Sequence, residues 1–340
     1  MPDSDAPLFS PAQSPVEPGA TSAGLTPPGL AGELDVLAFA AAELAAGRPA
    51  ALVTIFGLDG PFSRPLGAQL AVAADGRFLG SISGGCLEAA LTQECLLAMS
   101  KGANRTLRYG EGSPFIDVRL PCGGGIDLAL DVHLDRELLL RAIDLGKARK
   151  AFSLVFNPAS TQSSFRLEEG LAKAGPGEFV RPFAPRLRIL LAGRGWEIVA
   201  LAKLARSSEC EIVVASQEQA TLNYCRPHAD QLIKLTLPSH VPSLPLDADT
   251  AFASLFHEHE WEGGLLLAAL RSPAFYVGAL GSRQTHGRRL EILEALGANP
   301  EEMGRLKGPL GLFASRDPRT LAVSALAEIL AVRTGQAALP

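Results

Sequence analysis

The stretch Arg186-Leu-Arg-Ile-Leu-Leu-Ala-Gly-Arg-Gly-Trp-Glu-Ile198 decides the fold. Leu187–Ala192 is a short apolar run of strand length, Gly193-Arg194-Gly195 is a tight turn, and Trp196–Arg206 has the pattern of a helix. The same alternation continues downstream. Cys210–Ala215, Thr250–Phe256 and Phe275–Leu280 read as strands, with a helix around Leu265–Leu270, and the helices Ser282–Leu296 and Pro318–Val332 close the chain. Strands alternating with helices at this spacing predict a doubly wound parallel sheet over residues 186–334.

A glycine turn that follows a strand and opens a helix is the setting of a dinucleotide-binding loop, which makes Gly193 and Gly195 candidate cofactor contacts. Two features weaken NAD(P) as the cofactor. The third glycine position is Ile198, too bulky for close helix–strand packing, and Ser216 stands where an acidic residue would hold a ribose, with Glu218 two residues late. Ligands of open parallel sheets bind beyond the carboxyl ends of the strands. His257, in Leu255-Phe-His-Glu-His-Glu260, is therefore a candidate, whereas His259 reads as a surface residue. In Phe275-Tyr-Val-Gly-Ala-Leu-Gly-Ser-Arg283, Ser282 can cap a helix beside Gly281 and Arg283 adds a cation, a pattern suited to phosphate. Arg289, a turn further on, reads as part of a solvated face.

The N-terminal half gives a second α/β pattern over residues 33–145: a helix Glu33–Ala46, strands Ala50–Gly57, Arg105–Tyr109, Phe115–Leu120 and Ile126–Val132, and a hairpin of Ala68–Ala73 with Arg77–Ser81 around Asp75-Gly76. Gly80-Ser-Ile-Ser-Gly-Gly-Cys-Leu-Glu88 opens the helix Cys86–Met99. Ser83, Gly84 and Gly85 at a helix start can turn their amides towards one point and form an anion-binding nest, and Cys86 in the first turn would be a reactive or ligating thiol. Cys122, Gly123 and Gly124, in Leu120-Pro-Cys-Gly-Gly-Gly-Ile126, form a second cysteine in a glycine loop. Two such cysteines on one cleft could hold a soft metal or a sulfur species. Cys95, inside a helix, and Cys210, opening a buried strand, belong to the core. Residues 146–185 read as trailing elements and a Pro/Gly linker, and residues 1–32, rich in Pro, Ser and Ala, as a disordered tail.

Composition bounds the function. A chain of 340 residues, 47% hydrophobic and 20% charged, fits two globular domains. With a net charge of -5 and no Lys/Arg tract, nucleic acid is excluded as the natural partner. Five cysteines without a C-x-x-C pair argue against a secreted disulfide scaffold and for a reducing cytoplasm. No apolar run reaches about 18 residues, so a membrane-spanning helix is not expected.

Taken together, these segments resemble the XdhC/CoxI family. The resemblance runs from about Ala50 to Val332 and is carried by Ser63-Arg-Pro-Leu-Gly67, Gly80-Ser-Ile-Ser-Gly-Gly-Cys-Leu-Glu88, Arg119-Leu-Pro-Cys-Gly-Gly-Gly125, Arg271-Ser-Pro-Ala-Phe-Tyr-Val-Gly-Ala-Leu-Gly-Ser-Arg283, Gly308-Pro-Leu-Gly-Leu312 and Ala322-Val-Ser-Ala-Leu-Ala-Glu-Ile-Leu330. It implies an N-terminal XdhC-type α/β domain followed by a C-terminal Rossmann-like parallel-sheet domain. It also implies an accessory protein that binds molybdopterin or finished molybdenum cofactor, assists its sulfuration by a cysteine desulfurase, passes it to a molybdenum hydroxylase such as xanthine dehydrogenase, and self-associates as a homodimer. Ile198, Ser216 and Gln284 depart from the family pattern and leave the thiol-bearing half untouched.

A carrier of such a cofactor needs donors for its phosphate and protection for its sulfurs. The glycine nests, with Ser83 and Glu88 in the first of them, and the cations Arg64 and Arg283 are candidates for the former. Cys86 and Cys122 are candidates to meet the metal or to accept sulfur as a persulfide. The competing reading is an NAD(P)-dependent oxidoreductase using the parallel-sheet domain and the reactive cysteines. A thiol-based redox or sulfur sensor is a third.

Overall fold

The computed structural model describes residues 32–113, 124–162 and 164–335. The expected tail, the strand Phe115–Leu120, Cys122 and Gly123 lie outside the described residues, apart from Gly32. The chain divides into two compact units, the first ending at Val132 and the second beginning at His133, with Ala103–Thr106 counted in the second.

The first unit runs α1 (Glu33–Ala45), β1 (Ala50–Asp59), β2 (Gln69–Ala73), β3 (Phe78–Gly80), α2 (Glu88–Lys101), β4 (Arg105–Gly110) and β5 (Gly125–Asp131). Its sheet has the order β3-β2-β1-β5-β4. The central strand β1 pairs antiparallel with β2 (Leu52↔Ala71) and with β5 (Leu52↔Asp131), and a bulge between Ile55 and Gly57 re-aims its end. Ala51, Val53 and Ile55 alternate along β1 and pack with Leu87, Leu91 and Cys95. The expected helix from Cys86 begins two residues later, because Leu87 is its N-cap.

The second unit opens with α3 (Arg136–Lys147), capped by the Asp135 carboxylate at Glu137 N and Leu138 N. Next comes an antiparallel sheet of order β7-β6-β8, from β6 (Phe152–Phe156), β7 (Arg166–Glu169) and β8 (Phe179–Phe183). Phe152 and Phe183 stack across it with ring centroids 4.5 Å apart. Only β6 stands out in the sequence. Its partners are short edge strands, one charged throughout except Leu167 and the other carrying Pro182, and neither has an apolar alternation to read.

The remainder is the doubly wound domain: β9 (Arg188–Gly193), α4 (Trp196–Ser207), β10 (Glu211–Ser216), α5 (Gln219–Cys225), β11 (Gln231–Lys234), β12 (Thr250–Leu255), α6 (His259–Arg271), β13 (Tyr276–Ala279), α7 (Arg283–Ala295), α8 (Pro300–Gly304), β14 (Leu306–Lys307) and α9 (Pro318–Arg333). Six parallel strands take the order β11-β10-β9-β12-β13-β14. Alternation along β9 serves both faces. Ile189 and Leu191 pack with Leu201 of α4 and Ala325 of α9, while Leu190 and Ala192 pack with Leu266 of α6 and Leu293 of α7. The chain reverses its direction of winding between β9 and β12, where a crevice opens at the carboxyl ends of the strands. Among the described residues no helix is long and apolar enough to cross a membrane.

Candidate functional site

In the first unit, the loop Ser81–Leu87 winds around the side chain of Glu88. Oε1 accepts from Ser81 Oγ (2.9 Å), Ile82 N (3.0 Å) and Ser83 N (3.0 Å). Oε2 accepts from Ser83 Oγ (2.8 Å), Gly85 N (2.9 Å) and Leu87 N (3.2 Å). Gly84 and Gly85 have φ +75° and +120°, with open space where a Cβ would stand, so it is the backbone conformation that calls for glycine. Burial opposes a charge on Glu88, but the hydrogen bonds from Ser83, Ile82 and Ser81 outweigh it and hold the carboxyl at about 2. The nest expected to hold a ligand's phosphate is therefore filled by the protein's own carboxylate. Four amides and two hydroxyls already converge on it, and an incoming anion would have to displace a buried one.

What this loop displays is Cys86. The amides on either side of it, at Gly85 and Leu87, are both held by Glu88, and Cys86 is exposed. The other three described cysteines are buried. Burial pushes the Cys95 thiol up to about 12, and those of Cys210 and Cys225 up to about 11. Cys95 and Cys210 lie in the core, as their sequence positions suggest. Gly124 is buried, and a Cβ there would stand 2.1 Å from Asp59 O, so this glycine serves a close backbone approach. Arg64 is half-buried in the connection between β1 and β2. Among the described residues no group of three or more His, Cys, Asp or Glu is arranged to hold a metal ion.

In the second unit, the glycine turn after β9 stands at the crevice. Gly193 has φ +151°, and a Cβ there would lie 2.6 Å from the backbone of Leu255. Gly195 has φ +90° and donates its amide to Thr221 Oγ1 (3.2 Å), whose hydroxyl donates to Glu218 Oε2 (2.5 Å). The Glu197 carboxylate lies against Gly195, its Oε2 3.1 Å from where a Cβ would be. His257 is exposed, with Nε2 3.8 Å from Glu197, and Arg194 pairs with Glu258 across the crevice. Ile198 is fully buried in the core, and Ser216 Oγ accepts from Glu218 N (3.1 Å). A pyrophosphate at this turn would meet the carboxylate of Glu197, and the turn amide is already taken. These residues do not fit NAD(P).

Ser282 caps α7 through Thr285 N (3.1 Å), with Gly281 and Arg283 exposed beside it, as the sequence pattern suggests. Beneath that loop lies a cluster that sequence reasoning missed. Arg289 is 1% exposed, not on a solvated face. Its Nε donates to Glu262 Oε1 (3.0 Å) and its Nη2 to Leu280 O (2.7 Å). Glu262, 2% exposed, also accepts from Ser254 Oγ (2.9 Å) and lies 2.7 Å from His259 Nδ1. His259 is thus tied to a buried carboxylate and is not a free surface side chain. Burial and the neighbouring Arg289 lower the pKa of His286, one turn back on α7. The available signal was Leu293, four residues after Arg289 and so on the same helix face.

The combination defines a class: a two-unit α/β protein whose C-terminal unit has the six-strand dinucleotide-fold order with a turn unsuited to the dinucleotide, and whose N-terminal unit displays one cysteine among its described residues. Residues 189–329 match the model of the XdhC Rossmann domain, and residues 43–110 match that of the XdhC and CoxI family. The chain is 38% identical over 311 residues to the molybdenum cofactor insertion chaperone PaoD of Escherichia coli K12, covering 88% of this chain and 89% of that one. It is 25% identical to a probable xanthine dehydrogenase subunit of Bacillus subtilis 168, over 84% of this chain and 93% of that one. A Bacillus halodurans crystal structure described as a xanthine dehydrogenase shares the fold, with TM-score 0.73 and 21% identity over 89% of this chain and 96% of that one. The chain belongs to the XdhC and CoxI family.

Proposed function

We propose that this protein is a molybdenum cofactor insertion chaperone. It binds molybdenum cofactor as cargo in the cytoplasm, assists its sulfuration and delivers it to a molybdenum hydroxylase of the xanthine dehydrogenase type. The observation that carries the reading is the exposed Cys86, flanked by amides locked onto Glu88, in a chain whose other described cysteines are buried. Kinship with an insertion chaperone over 88% of the chain supports it.

Cys86 acts as a ligand to the metal or as an acceptor of sulfur, with Cys122 as its proposed partner. A cysteine desulfurase is the sulfur donor. When sulfane sulfur passes from the donor's persulfide to Cys86, the donor leaves as a thiolate and Cys86 becomes the persulfide, so no outside oxidant or reductant enters. With the Ser83–Gly85 nest filled by Glu88, Arg64 in the first unit and the exposed start of α7 at Gly281, Ser282 and Arg283 in the second are the remaining candidate contacts for an anion. A homodimer is part of the proposal, and light scattering on the purified protein checks it.

The test is anaerobic purification from a molybdate-fed host, with pterin measured by fluorescence after acid oxidation. Substantial pterin in wild type and little in Cys86→Ala supports a thiol-dependent carrier. Equal loading in Cys86→Ala and Cys122→Ala removes the thiols from the mechanism. No pterin in either protein, together with saturable NADPH binding, supports the oxidoreductase reading instead.

A further inference from the structure

α4 and α9 pack together through small side chains, with Ala202, Ala205, Ala322 and Ala325 all in the core. Their outer faces leave a groove of about 640 Å³ between them. Its walls are mostly apolar, and two large side chains stand out from them: Trp196 at 61% and Val323 at 50% exposure. Trp196 is braced by exposed Tyr224, with ring centroids 5.1 Å apart. Exposed apolar side chains gathered on one face mark an interaction surface, and Trp and Tyr are the residues that anchor such contacts.

The charges along this groove choose the partner. The chain as a whole carries -5, yet Lys203 and Arg319 line the groove exposed, two cations against the one carboxylate of Asp317, whose pKa is lowered by hydrogen bonds from Thr320 and by the Arg319 charge. Asp317, the acidic side chain of the lining, is turned onto its own helix, with Oδ2 accepting from Thr320 N and Oγ1 at 2.8 Å each. A second copy docked face to face would bring two more cations and only one more carboxylate to the contact, leaving it net positive. An acidic partner meets no such repulsion.

We propose that the α4–α9 groove is the docking site for an amphipathic, acid-flanked segment of the molybdenum hydroxylase, its apolar face against Trp196 and Val323 and its acidic flank on Lys203 and Arg319. The inference rests on the chaperone reading. Two variants test it: Lys203→Glu/Arg319→Glu and Trp196→Ala. Each is compared with wild type for pterin content, for molar mass, and for affinity towards the purified hydroxylase of the same genome, produced in a host unable to make the cofactor. The expected result is affinity weakened at least about tenfold in both variants, with pterin content, mass and thermal midpoint unchanged and wild-type binding reduced by salt. Unchanged affinity overturns the assignment. Loss of pterin along with affinity overturns it in favour of a cofactor groove, and a fall in molar mass overturns it in favour of a second copy. If wild type carries no pterin and does not bind the hydroxylase, the chaperone reading falls and the docking site with it. Wild type that carries pterin without binding the hydroxylase sinks the docking site alone.

Discussion

Two glycine turns, Gly84-Gly85 in one unit and Gly193–Gly195 in the other, look alike in sequence and end as opposites. Both stand at a helix start, where backbone amides gather and an anion is expected. In the first, the Glu88 carboxylate takes four amides and two hydroxyls directly, and the exposed residue between the tethered amides is a thiol. In the second, the Gly195 amide is relayed through Thr221 to Glu218, and the residue left exposed is Trp196. A glycine turn is a ligand site only if the protein has not already supplied the anion. The first turn is built rigidly to show a side chain. The second is closed by Gly193 against the Leu255 backbone, and the buried ion pair of its unit lies deeper, at Glu262 and Arg289.

That depth is where the largest effect is expected. Arg289→Leu leaves the Glu262 carboxylate buried with Ser254 and His259 but without its cation, which costs about 3–5 kcal/mol in denaturant unfolding near neutral pH. A loss below about 1 kcal/mol, the range of surface pairs, would mean that this charge is not held as described, and the contrast between the units would fail.

Next comes the buried carboxylate of the first unit. Its folded value, about 2, lies below the unfolded value of 4.5, so its stabilisation is fully present above 4.5 and is lost as pH falls towards 2. The difference corresponds to about 3 kcal/mol over that window. Acid titration of wild type against Glu88→Gln, followed by unfolding free energy and by the alkylation rate of Cys86, checks it. The variant is expected to be less stable at neutral pH and flatter between pH 4.5 and 2, with its thiol reacting less uniformly. Parallel acid curves for the two proteins would remove Glu88 as the lock on the loop.

These positions also mark where the sequence could be read and where it could not. The parallel sheet was readable because β9, β10 and β12 are short apolar runs buried on both faces, a pattern that survives without partners. Ser83, Gly84, Gly85, Cys86 and Glu88 stand out together in the sequence, and the structure brings them together. The role of Glu88 was hidden, since nothing in a glycine-rich motif says whether its acid points outwards or back into the turn. Arg289 was hidden for a related reason. In Arg288-Arg289 composition is silent on which side chain turns inwards, and only the partner carboxylate 27 residues earlier explains its burial. The edge strands β7 and β8 owe their place to antiparallel pairing with β6, which is not visible in local pattern.

A smaller effect separates the glycines themselves. Gly193→Ala combines φ +151° with a Cβ 2.6 Å from the Leu255 backbone, which cannot step aside, so it is expected to cost about 2–3 kcal/mol. Gly84→Ala meets open space and bears only the left-handed conformation, about 1 kcal/mol. Thermal midpoints of the two variants side by side test the ranking, and a reversed order would mean that the first turn is held by packing and not by Glu88.

The smallest effect is at the mouth of the crevice. Arg194 and Glu258 pair across it at 39% and 50% exposure, in reach of water and salt, so Arg194→Gln should change stability by under about 1 kcal/mol, and by less as salt is raised. Opening this pair should not create an NADPH site, because Glu197 still lies against Gly195 and Ile198 still fills the third glycine position. Adding Glu197→Gln removes that carboxylate's charge and leaves the packing. NADPH titration of the double variant therefore separates the two causes. Binding that appears only there would make charge the barrier at this turn. Continued absence of binding assigns it to the packed Ile198 and the amide already given to Thr221, the same internal satisfaction that Glu88 provides in the other turn.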